Sequence, residues 1–210
     1  MTATEYPRPS LTADVVVLRL RGQLEVLLIE RGNPPFQGCY ALPGGFVDPD
    51  EAPRDAAARE LDEETGVVNL PMREIGVFGA PKRDPRGWVV TSAWLALAPA
   101  SCEAVAGDDA AQARWFPLTD LPELAFDHAE IIESATAQLR TLAQVDPWPL
   151  GLLGDTFRTR HARLLYNQIF GCKVPPRPFK AWLRRKDAVI RVGPARFKAS
   201  ERFMHWLKTI

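Results

Sequence analysis

The sequence predicts an α/β protein in two parts, of which the second is a small basic winged helix-turn-helix domain. In the first part, short apolar runs typical of strands alternate with segments of helical periodicity. The Pro- and Gly-rich stretch "QVDPWPLGLLGD" then precedes a basic segment with the patterns of two helices and a hairpin. We therefore predict two domains, 1–146 and 147–210.

The first part begins with a pair of strands. The runs "DVVVLRL" and "EVLLIE" are rich in β-branched residues and leucine, and residues 21–23 provide a turn between them. The Pro- and Gly-rich segment "NPPFQGCYALPGGF" is predicted to be a loop. Residues 53–65 are predicted to form a helix, because Pro53 suits the first helical position, Asp55 is favourable in the first turn and Gly66 can end it.

Three more strands and a long helix complete the first part. The strands are predicted at "REIGVFGA", "GWVVTSAWLALA" and the short "ARWFPL". Asp127 with Glu130 three positions later has the pattern of a reciprocal helix cap, and the helix is expected to run to about Leu142.

The second part has the elements of a winged helix-turn-helix. Helical spacing and a stop at Gly171 predict one helix, and its periodic positions are Phe157, His161, Leu164, Leu165 and Ile169. A short basic helix is predicted at "RPFKAWLRRK", and a hairpin at "AVIRVG" and "ARFKA". Two helices followed by a hairpin are the parts of this DNA-binding motif.

Composition excludes several classes of protein. With 46% hydrophobic and 25% charged residues, the chain is not globally disordered. There is no run of about 18 apolar residues, so no membrane span is predicted, and the first twenty residues lack the pattern of a signal peptide. The three cysteines are far apart and without CxxC spacing, which indicates reduced thiols and a cytoplasmic location.

The zero net charge hides an asymmetry. Residues 1–154 hold 12 Lys/Arg and 23 Asp/Glu, a net charge of −11, whereas residues 155–210 hold 14 and 3, a net charge of +11. One interpretation is two modules with different partners, the basic one binding an acidic polymer. The other is that the two halves neutralise each other across an internal interface.

The segment from Gly44 to Val67 holds eight acidic residues, four of them between Glu60 and Glu64. At about 100° per residue, Glu63 and Glu64 lie on either side of Glu60, so three carboxylates share one helix face, while Ala58 and Leu61 are expected to pack on the sheet. Carboxylates at this spacing repel each other, and Mg²⁺ favours such oxygen ligands. The alternative is a solvated acidic helix face.

The acidic segment resembles the signature of the Nudix hydrolase family at every defined position, in the pattern Gly45-x5-Glu51-x7-Arg59-Glu60-Leu61-x-Glu63-Glu64-x-Gly66-Val67. The resemblance implies an α/β/α sandwich whose loop–helix–loop holds Mg²⁺ or Mn²⁺. It also implies cleavage of a nucleoside diphosphate linked to another moiety, by a water molecule activated near the metal.

The resemblance assigns roles to residues of the signature. The metal ligands it implies are Glu60, Glu63 and Glu64, with the carbonyl of Gly44 as a further one. Arg59 resembles the arginine that orients a glutamate, through Glu51, so the catalytic set is Glu51, Arg59, Glu63 and Glu64. Ala52 departs from the Ser or Thr helix cap of many family members, which should cost about 1 kcal/mol.

Other stretches resemble Nudix proteins that act on or sense ADP-ribose, including the Nudix-related transcriptional regulators of NAD metabolism. They are "YPRPSLTADVVVL", "ALPGGFV", "RDPRGWVVTSAWLAL" and "LAFDHAEII". In those regulators a Nudix domain precedes a winged helix, the order predicted here over nearly the whole chain. The resemblance also implies a homodimer.

Several residues outside the signature are candidates for substrate binding. Arg83 and Arg86 have the chemistry to bind phosphates, and the alternative is an exposed loop with fortuitous charge. Phe36 or Phe46 is a candidate to stack on adenine, although local packing is the more common role of such an aromatic residue. His128 is expected to be structural. Asp108 and Asp109 are expected to form a turn rather than to supply a base.

A basic face is predicted in the second part. On the recognition helix the candidate DNA-binding residues are Arg177, Lys180, Arg184, Arg185 and Lys186, and on the wing they are Arg191, Arg196 and Lys198. The wording "PFKAWLRRK" departs from the "NFRRK"-like wording of the regulators, and the chain ends in "ERFMHWLKTI" where they have a short strand. Dimerisation, or packing on the acidic domain, is therefore the alternative role.

Two functions follow from these observations. The first is a Mg²⁺- or Mn²⁺-dependent hydrolase that splits ADP-ribose into AMP and ribose 5-phosphate. The second is a DNA-binding transcriptional regulator that senses ADP-ribose. The complete glutamate set favours the enzyme and the basic tail favours the regulator.

Overall fold

A computed structural model describes residues 6–105, 110–154, 156–185, 189–193 and 196–199. The described residues form strands β1 (Ser10–Arg21), β2 (Gln23–Arg31), β3 (Tyr40–Ala41), β4 (Gly44–Phe46), β5 (Met72–Phe78), β6 (Val89–Leu97), β7 (Ala110–Pro117), β8 (Thr156–Arg158), β9 (Val189–Gly193) and β10 (Arg196–Ala199), helices α1 (Pro53–Thr65), α2 (His128–Val145), α3 (Thr159–Phe170) and α4 (Pro176–Arg185), and a 3₁₀ helix, Trp148–Leu153.

A mixed sheet of seven strands forms the centre of the first part. Its main path is β3-β2-β1-β6-β5, with β4 paired to β1 and β7 paired to β2. The central pair, β1 and β6, is parallel, whereas β2, β4, β5 and β7 pair antiparallel with their neighbours. The predicted β1–β2 turn at residues 21–23 is confirmed.

The sheet is buried on both faces, so the first part is an α/β/α sandwich. Alternate residues of β1 point to opposite sides. Val16 and Leu18 pack with α2 in one apolar cluster, while Val15 and Val17 pack with α1 in another. The continuous apolar run in β1 therefore reflects a strand covered by helices on both sides.

Helix α1 forms at the predicted positions. Pro53 begins the helix, Ala52 supplies no side-chain cap, and Gly66 ends it in the left-handed conformation with φ 65° and its N–H bonded to the carbonyl of Asp62. Leu61 is buried as predicted, but Ala58 is exposed, so its predicted packing on the sheet is wrong. The neighbours Ala56 and Ala57 are buried in its place.

The helix cap predicted at Asp127 is also wrong in its chemistry. Helix α2 does start at His128, but the Asp127 side chain makes no capping hydrogen bond. Its carboxylate instead receives two hydrogen bonds from Arg83. The segment predicted as loop, "NPPFQGCYALPGGF", contains the short strands β3 and β4.

The second part has the winged-helix arrangement. Strand β10 lies between β8 and β9 in a small antiparallel sheet, and α3 and α4 precede the β9–β10 hairpin. Helix α3 ends at the predicted Gly171. Phe157 belongs to β8 and is buried, whereas Leu164 is 41% exposed, so neither is the buried helical residue that the periodicity predicts.

The two parts share an apolar core. Trp148, Leu150 and Leu152 of the 3₁₀ helix and Phe157 of β8 belong to the same cluster as the α2 face of the sheet. Gln168 of α3 donates to the carbonyl of Gly22 and accepts from the N–H of Leu24, so it bonds both sides of the β1–β2 turn. The division at residue 146 stays a prediction. Within the described ranges, no helix is long and apolar enough to cross a membrane.

Candidate active site

Arg59 is the centre of the polar network on α1. Its guanidinium makes two parallel hydrogen bonds of 2.9 Å each to the carboxylate of Glu51. It also donates to Glu60 at 2.8 Å, to Glu63 at 3.1 Å and to the carbonyl of Phe46 at 3.1 Å. The hydrogen bonds to Glu51 raise the pKa of Arg59, and the same pair lowers the pKa of Glu51. The spacing of eight residues thus brings these two side chains together across the start of α1.

Two glycines face the glutamates across the β4–α1 connection. The N–H of Gly44 donates to Glu64 at 2.9 Å. A Cβ at Gly45 would overlap the carboxyl group of Glu60. A Cβ at Gly44 would instead overlap the carbonyl of Ala13 and the side chain of Asp14. Glycine at both positions therefore lets the backbone of β4 fit between β1 and the carboxylates of α1.

Partial burial raises the pKa of two of these carboxylates. It raises the pKa of Glu64 to about 8, a rise that the Gly44 N–H opposes and the neighbouring Glu60 and Asp14 reinforce. Burial also raises the pKa of Glu60, against the opposing effect of Arg59. Glu63 differs from both, because its side chain is 58% exposed.

The donor set fits a hard divalent cation. Carboxylate and carbonyl oxygens are the ligands that Mg²⁺ and Mn²⁺ prefer, and a cation would compensate the buried carboxylates Glu60 and Glu64. In the described ranges, no group of three or more His, Cys, Asp or Glu side chains is arranged to hold a metal ion. Glu60 and Glu63 contact Arg59, whereas Glu64 turns to the Gly44 N–H.

A cleft that opens to solvent lies beside the glycine pair. Strands β1, β2 and β4, the β5–β6 connection and the start of α2 form its walls. Its lining includes Asp14, Arg31, Phe46, Arg86 and Phe126. The cleft can hold a ligand whose reacting group lies next to Gly44 and Gly45.

Arg83 lines the cleft, but its charge is already neutralised. Its side chain is 4% exposed, and it donates to both oxygens of Asp127 at 2.8 and 2.6 Å, with Asp14 at 3.8 Å. The alternative of an exposed loop with fortuitous charge is wrong for Arg83. Its contact with a substrate phosphate stays a prediction.

Arg86 is fixed at the mouth of the cleft. Its Nε and Nη2 groups donate to the buried carboxylate of Asp84, at 3.0 and 2.6 Å, and its backbone N–H donates to the same group at 2.8 Å. The guanidinium lies 5.1 Å from the ring centroid of Phe46 and 5.3 Å from that of Phe126. Phe36 meets Phe126 edge to face at 4.9 Å.

His128 has a structural role, as predicted. The residue is 4% exposed, and its Nδ1 accepts a hydrogen bond of 2.8 Å from the N–H of Leu42. Burial lowers the pKa of His128. The neutral ring therefore connects the start of α2 to the loop before β4. Asp108 and Asp109 lie outside the described residues.

Four charged or aromatic residues of the cleft were missed by the sequence analysis: Asp14, Arg31, Asp84 and Phe126. Asp14 interrupts the apolar run of β1 and is 6% exposed, so a charge inside a buried strand was an available signal. Arg31 and Asp84 lie at a strand end and in a polar loop, where charged residues are ordinary. Phe126 has φ 54°, a conformation that the sequence did not reveal.

The predicted DNA-binding residues follow the outer side of α4. Phe179 and Leu183 are buried, while Arg177 and Arg184 are exposed and Lys180 is half-buried. Arg191 on β9 is also exposed. Lys186 and the side chains of Arg185, Arg196 and Lys198 lie outside what the structure describes.

The family model for the NUDIX domain matches residues 9–135, which contain both the glutamate network and the cleft. The chain therefore belongs to the Nudix family. It is 43% identical over 128 residues to an ADP-ribose pyrophosphatase of Methanocaldococcus jannaschii, covering 61% of this chain and 73% of that one. It is 32% identical over 182 residues to the ADPR-responsive transcriptional repressor NtrR of Acinetobacter baylyi, covering 84% and 73%.

Two solved structures match nearly the whole chain, and a third matches its first part. A MutT/nudix family protein from Enterococcus faecalis superposes with a TM-score of 0.84 at 32% identity, covering 95% of this chain and 90% of that one. NrtR from Shewanella oneidensis in complex with a 27mer DNA gives 0.77 at 30%, covering 91% and 93%. The NUDIX domain of that NrtR in complex with ADP ribose gives 0.60 at 36%, covering 64% and 90%. The fold is a Nudix sandwich followed by a winged helix.

Proposed function

We propose that this protein is a Nudix pyrophosphohydrolase that cleaves ADP-ribose into AMP and ribose 5-phosphate with Mg²⁺ or Mn²⁺. The observation that carries the proposal is the position of Glu60 and Glu64 against Gly44 and Gly45, at the edge of an open cleft. The 43% identity to an ADP-ribose pyrophosphatase supports the choice of substrate. A cytoplasmic homodimer is the form expected from the sequence and the family resemblance.

The metal-binding role is proposed for Glu60, Glu63 and Glu64, with the carbonyl of Gly44. A bound divalent ion supplies positive charge for the pyrophosphate and lowers the pKa of a water molecule. Arg59 holds Glu51 with two parallel hydrogen bonds and also contacts Glu60 and Glu63. We propose that this fork keeps the acidic face of α1 in one orientation.

Turnover of ADP-ribose tests this proposal. Purified protein is incubated with ADP-ribose and Mg²⁺ or Mn²⁺, and AMP is measured by chromatography, with EDTA as the metal-free control. Glu64→Gln should lower the rate by about 100-fold or more, the scale for removing one electrostatic stabiliser.

Asp62→Asn is the matched control, because Asp62 is an exposed acidic residue of the same helix. It should leave the rate unchanged. A Glu64→Gln variant as active as the parent would show that the metal assignment is wrong. A parent protein that releases no AMP would show that the proposed substrate is wrong.

A second function, DNA binding under the control of ADP-ribose, has its own observation. Arg177 and Arg184 are exposed on α4, on the side away from the buried Phe179 and Leu183. NrtR from Shewanella oneidensis, to which the chain is 30% identical, was solved in complex with a 27mer DNA. The two functions are compatible, because a slow hydrolase can also act as a ligand-dependent switch.

DNA binding is tested with DNA from upstream of NAD-synthesis genes, with and without ADP-ribose. Binding should weaken as salt rises, and Arg177→Gln should reduce the salt dependence by about one unit of slope. Arg54→Gln, an exposed position on α1, is the control. Absence of binding at low salt, where contacts to the DNA backbone are strongest, would count against this function.

A further inference from the structure

Two guanidinium groups lie against one aromatic ring in the cleft. The Cζ atom of Arg31, at the end of β2, is 4.9 Å from the ring centroid of Phe126, and the Cζ atom of Arg86 is 5.3 Å from it. Arg31 ends β2 and Arg86 lies in the β5–β6 connection, 55 positions away in the chain. Folding therefore brings together two like charges in a partly buried place.

The charge of Arg31 is poorly compensated. Its Nε donates to the carbonyl of Pro35 at 2.8 Å and its Nη2 to the carbonyl of Asn33 at 3.4 Å. Burial lowers the pKa of Arg31, and the nearby cation of Arg86 lowers it further, against the smaller opposing effects of Glu64 and Asp84. Adjacent cations in a partly buried site favour a bound anion.

Each guanidinium keeps one edge available. In the parts of the chain that the structure describes, the hydrogen bonds of Arg31 and Arg86 use their Nε and Nη2 groups and leave both Nη1 groups without an acceptor. An Nη1 group carries two N–H donors, and phosphate oxygens are the acceptors that a guanidinium binds most strongly.

We propose that Arg31 and Arg86, which both contact the ring of Phe126, together bind the diphosphate of the nucleotide substrate. This inference deepens the proposed function and rests on it. Arg83 does not take this role, because its guanidinium is bonded to both oxygens of Asp127. The pair lies in the same cleft as Gly44 and Gly45, so a diphosphate held there lies beside the carboxylates of α1.

Asp84 is the positioning residue of this pair. It is 3% exposed, and its carboxylate binds the Nε, the Nη2 and the backbone N–H of Arg86. These bonds fix the plane of the Arg86 guanidinium between Phe46 and Phe126. Arg31, by contrast, donates to backbone carbonyls of the following loop and contacts the ring of Phe126.

Calorimetric binding of ADP-ribose in EDTA tests the inference without turnover. Arg31→Gln and Arg86→Gln should each weaken binding by about tenfold or more, the scale for losing a hydrogen bond to a charged group. Arg21→Gln, whose side chain is 57% exposed in the β1–β2 turn, should bind like the parent. The inference is overturned if either cleft variant binds within twofold of the parent.

Two further variants separate a binding role from a structural one. Arg31→Lys keeps the charge but loses the planar fork, so its affinity should lie between those of the parent and Arg31→Gln. Asp84→Asn should raise KM for ADP-ribose more than it lowers kcat, because it loosens Arg86 without touching the glutamates of α1. A fall in kcat at unchanged KM would show that Asp84 does not position Arg86 for substrate binding.

Pyrophosphate binding distinguishes this inference from the proposed function. The parent protein could release no AMP from ADP-ribose and still bind pyrophosphate, with about tenfold weaker binding in both cleft variants. That result would overturn the proposed substrate and support the proposed role of the arginine pair. Equal binding of pyrophosphate by the parent and both variants, or no binding by the parent, would overturn the pair.

Discussion

At Gly45 the backbone of β4 lies directly against the carboxyl group of Glu60. An added Cβ would overlap the carboxyl group of Glu60, and that side chain would have to move. Gly45→Ala should therefore lower ADP-ribose turnover by about 10- to 100-fold, the scale for a misplacement near 1 Å. The fold should persist, because the displaced atoms are the end of a flexible side chain.

Gly66→Ala is the contrasting substitution on the same helix. Gly66 has φ 65°, and a Cβ there would meet no atom within 4 Å. The variant should lose about 1 kcal/mol of unfolding free energy from left-handed strain, with turnover unchanged. Activity assays and denaturant unfolding on both variants check the pair. A Gly45→Ala protein with full activity would contradict the position proposed for Glu60.

Residues close in sequence were predictable and long-range partners were not. The contact between Glu51 and Arg59, eight positions apart, was implied by the resemblance to the Nudix signature and is present in the structure. The partner of Arg83 is Asp127, 44 positions away, and the sequence assigned Asp127 to a helix cap. The Asp127 carboxylate stabilises the protein more by pairing with the buried guanidinium of Arg83 than it would by capping an exposed helix end. Which of the two partners it takes depends on the fold, because Arg83 is distant in the sequence.

At the scale of elements, strong local signals gave the right bounds. Pro53 and Gly66 define both ends of α1, and the turn at residues 21–23 joins β1 to β2 as predicted. Strands β3 and β4 have two and three residues, too few for a periodicity to be visible. Their positions depend on pairing with β2 and β1, which is a long-range effect.

Helix α3 is fastened to the sheet by Gln168. The side chain bonds the carbonyl of Gly22 and the N–H of Leu24, on either side of the β1–β2 turn. Gln168→Ala should therefore lower the unfolding free energy by about 1 to 3 kcal/mol, since two hydrogen bonds between distant elements are lost. Denaturant unfolding measures the change.

Gln144→Ala is the control for Gln168→Ala, because Gln144 is exposed on α2. Its unfolding free energy should stay within about 0.5 kcal/mol of the parent. Equal stability of the two variants would mean that the bonds to the turn contribute nothing to how α3 is held.

At the scale of the whole molecule, the charge asymmetry and the apolar core bear differently on how the two parts of the chain meet. Net charges of −11 and +11 suggested either two modules with different partners or two halves that neutralise each other across an internal interface. The contacts between them that the structure describes are apolar packing around Trp148 and Phe157 and the hydrogen bonds of Gln168 and Arg140.

A shared core also predicts how the chain unfolds. Phe157 is 3% exposed, and its cluster includes Val16, Leu18 and the inner face of α2. Phe157→Ala should cost about 3 to 5 kcal/mol, the scale for removing a buried aromatic ring. Because the cluster is continuous, the loss should shift the denaturant midpoint of hydrolase activity together with that of tryptophan fluorescence.

Leu164→Ala, at a position 41% exposed on α3, should shift neither midpoint. A Phe157→Ala protein whose activity midpoint stayed at the parent value would mean that the Nudix part unfolds independently of the winged helix.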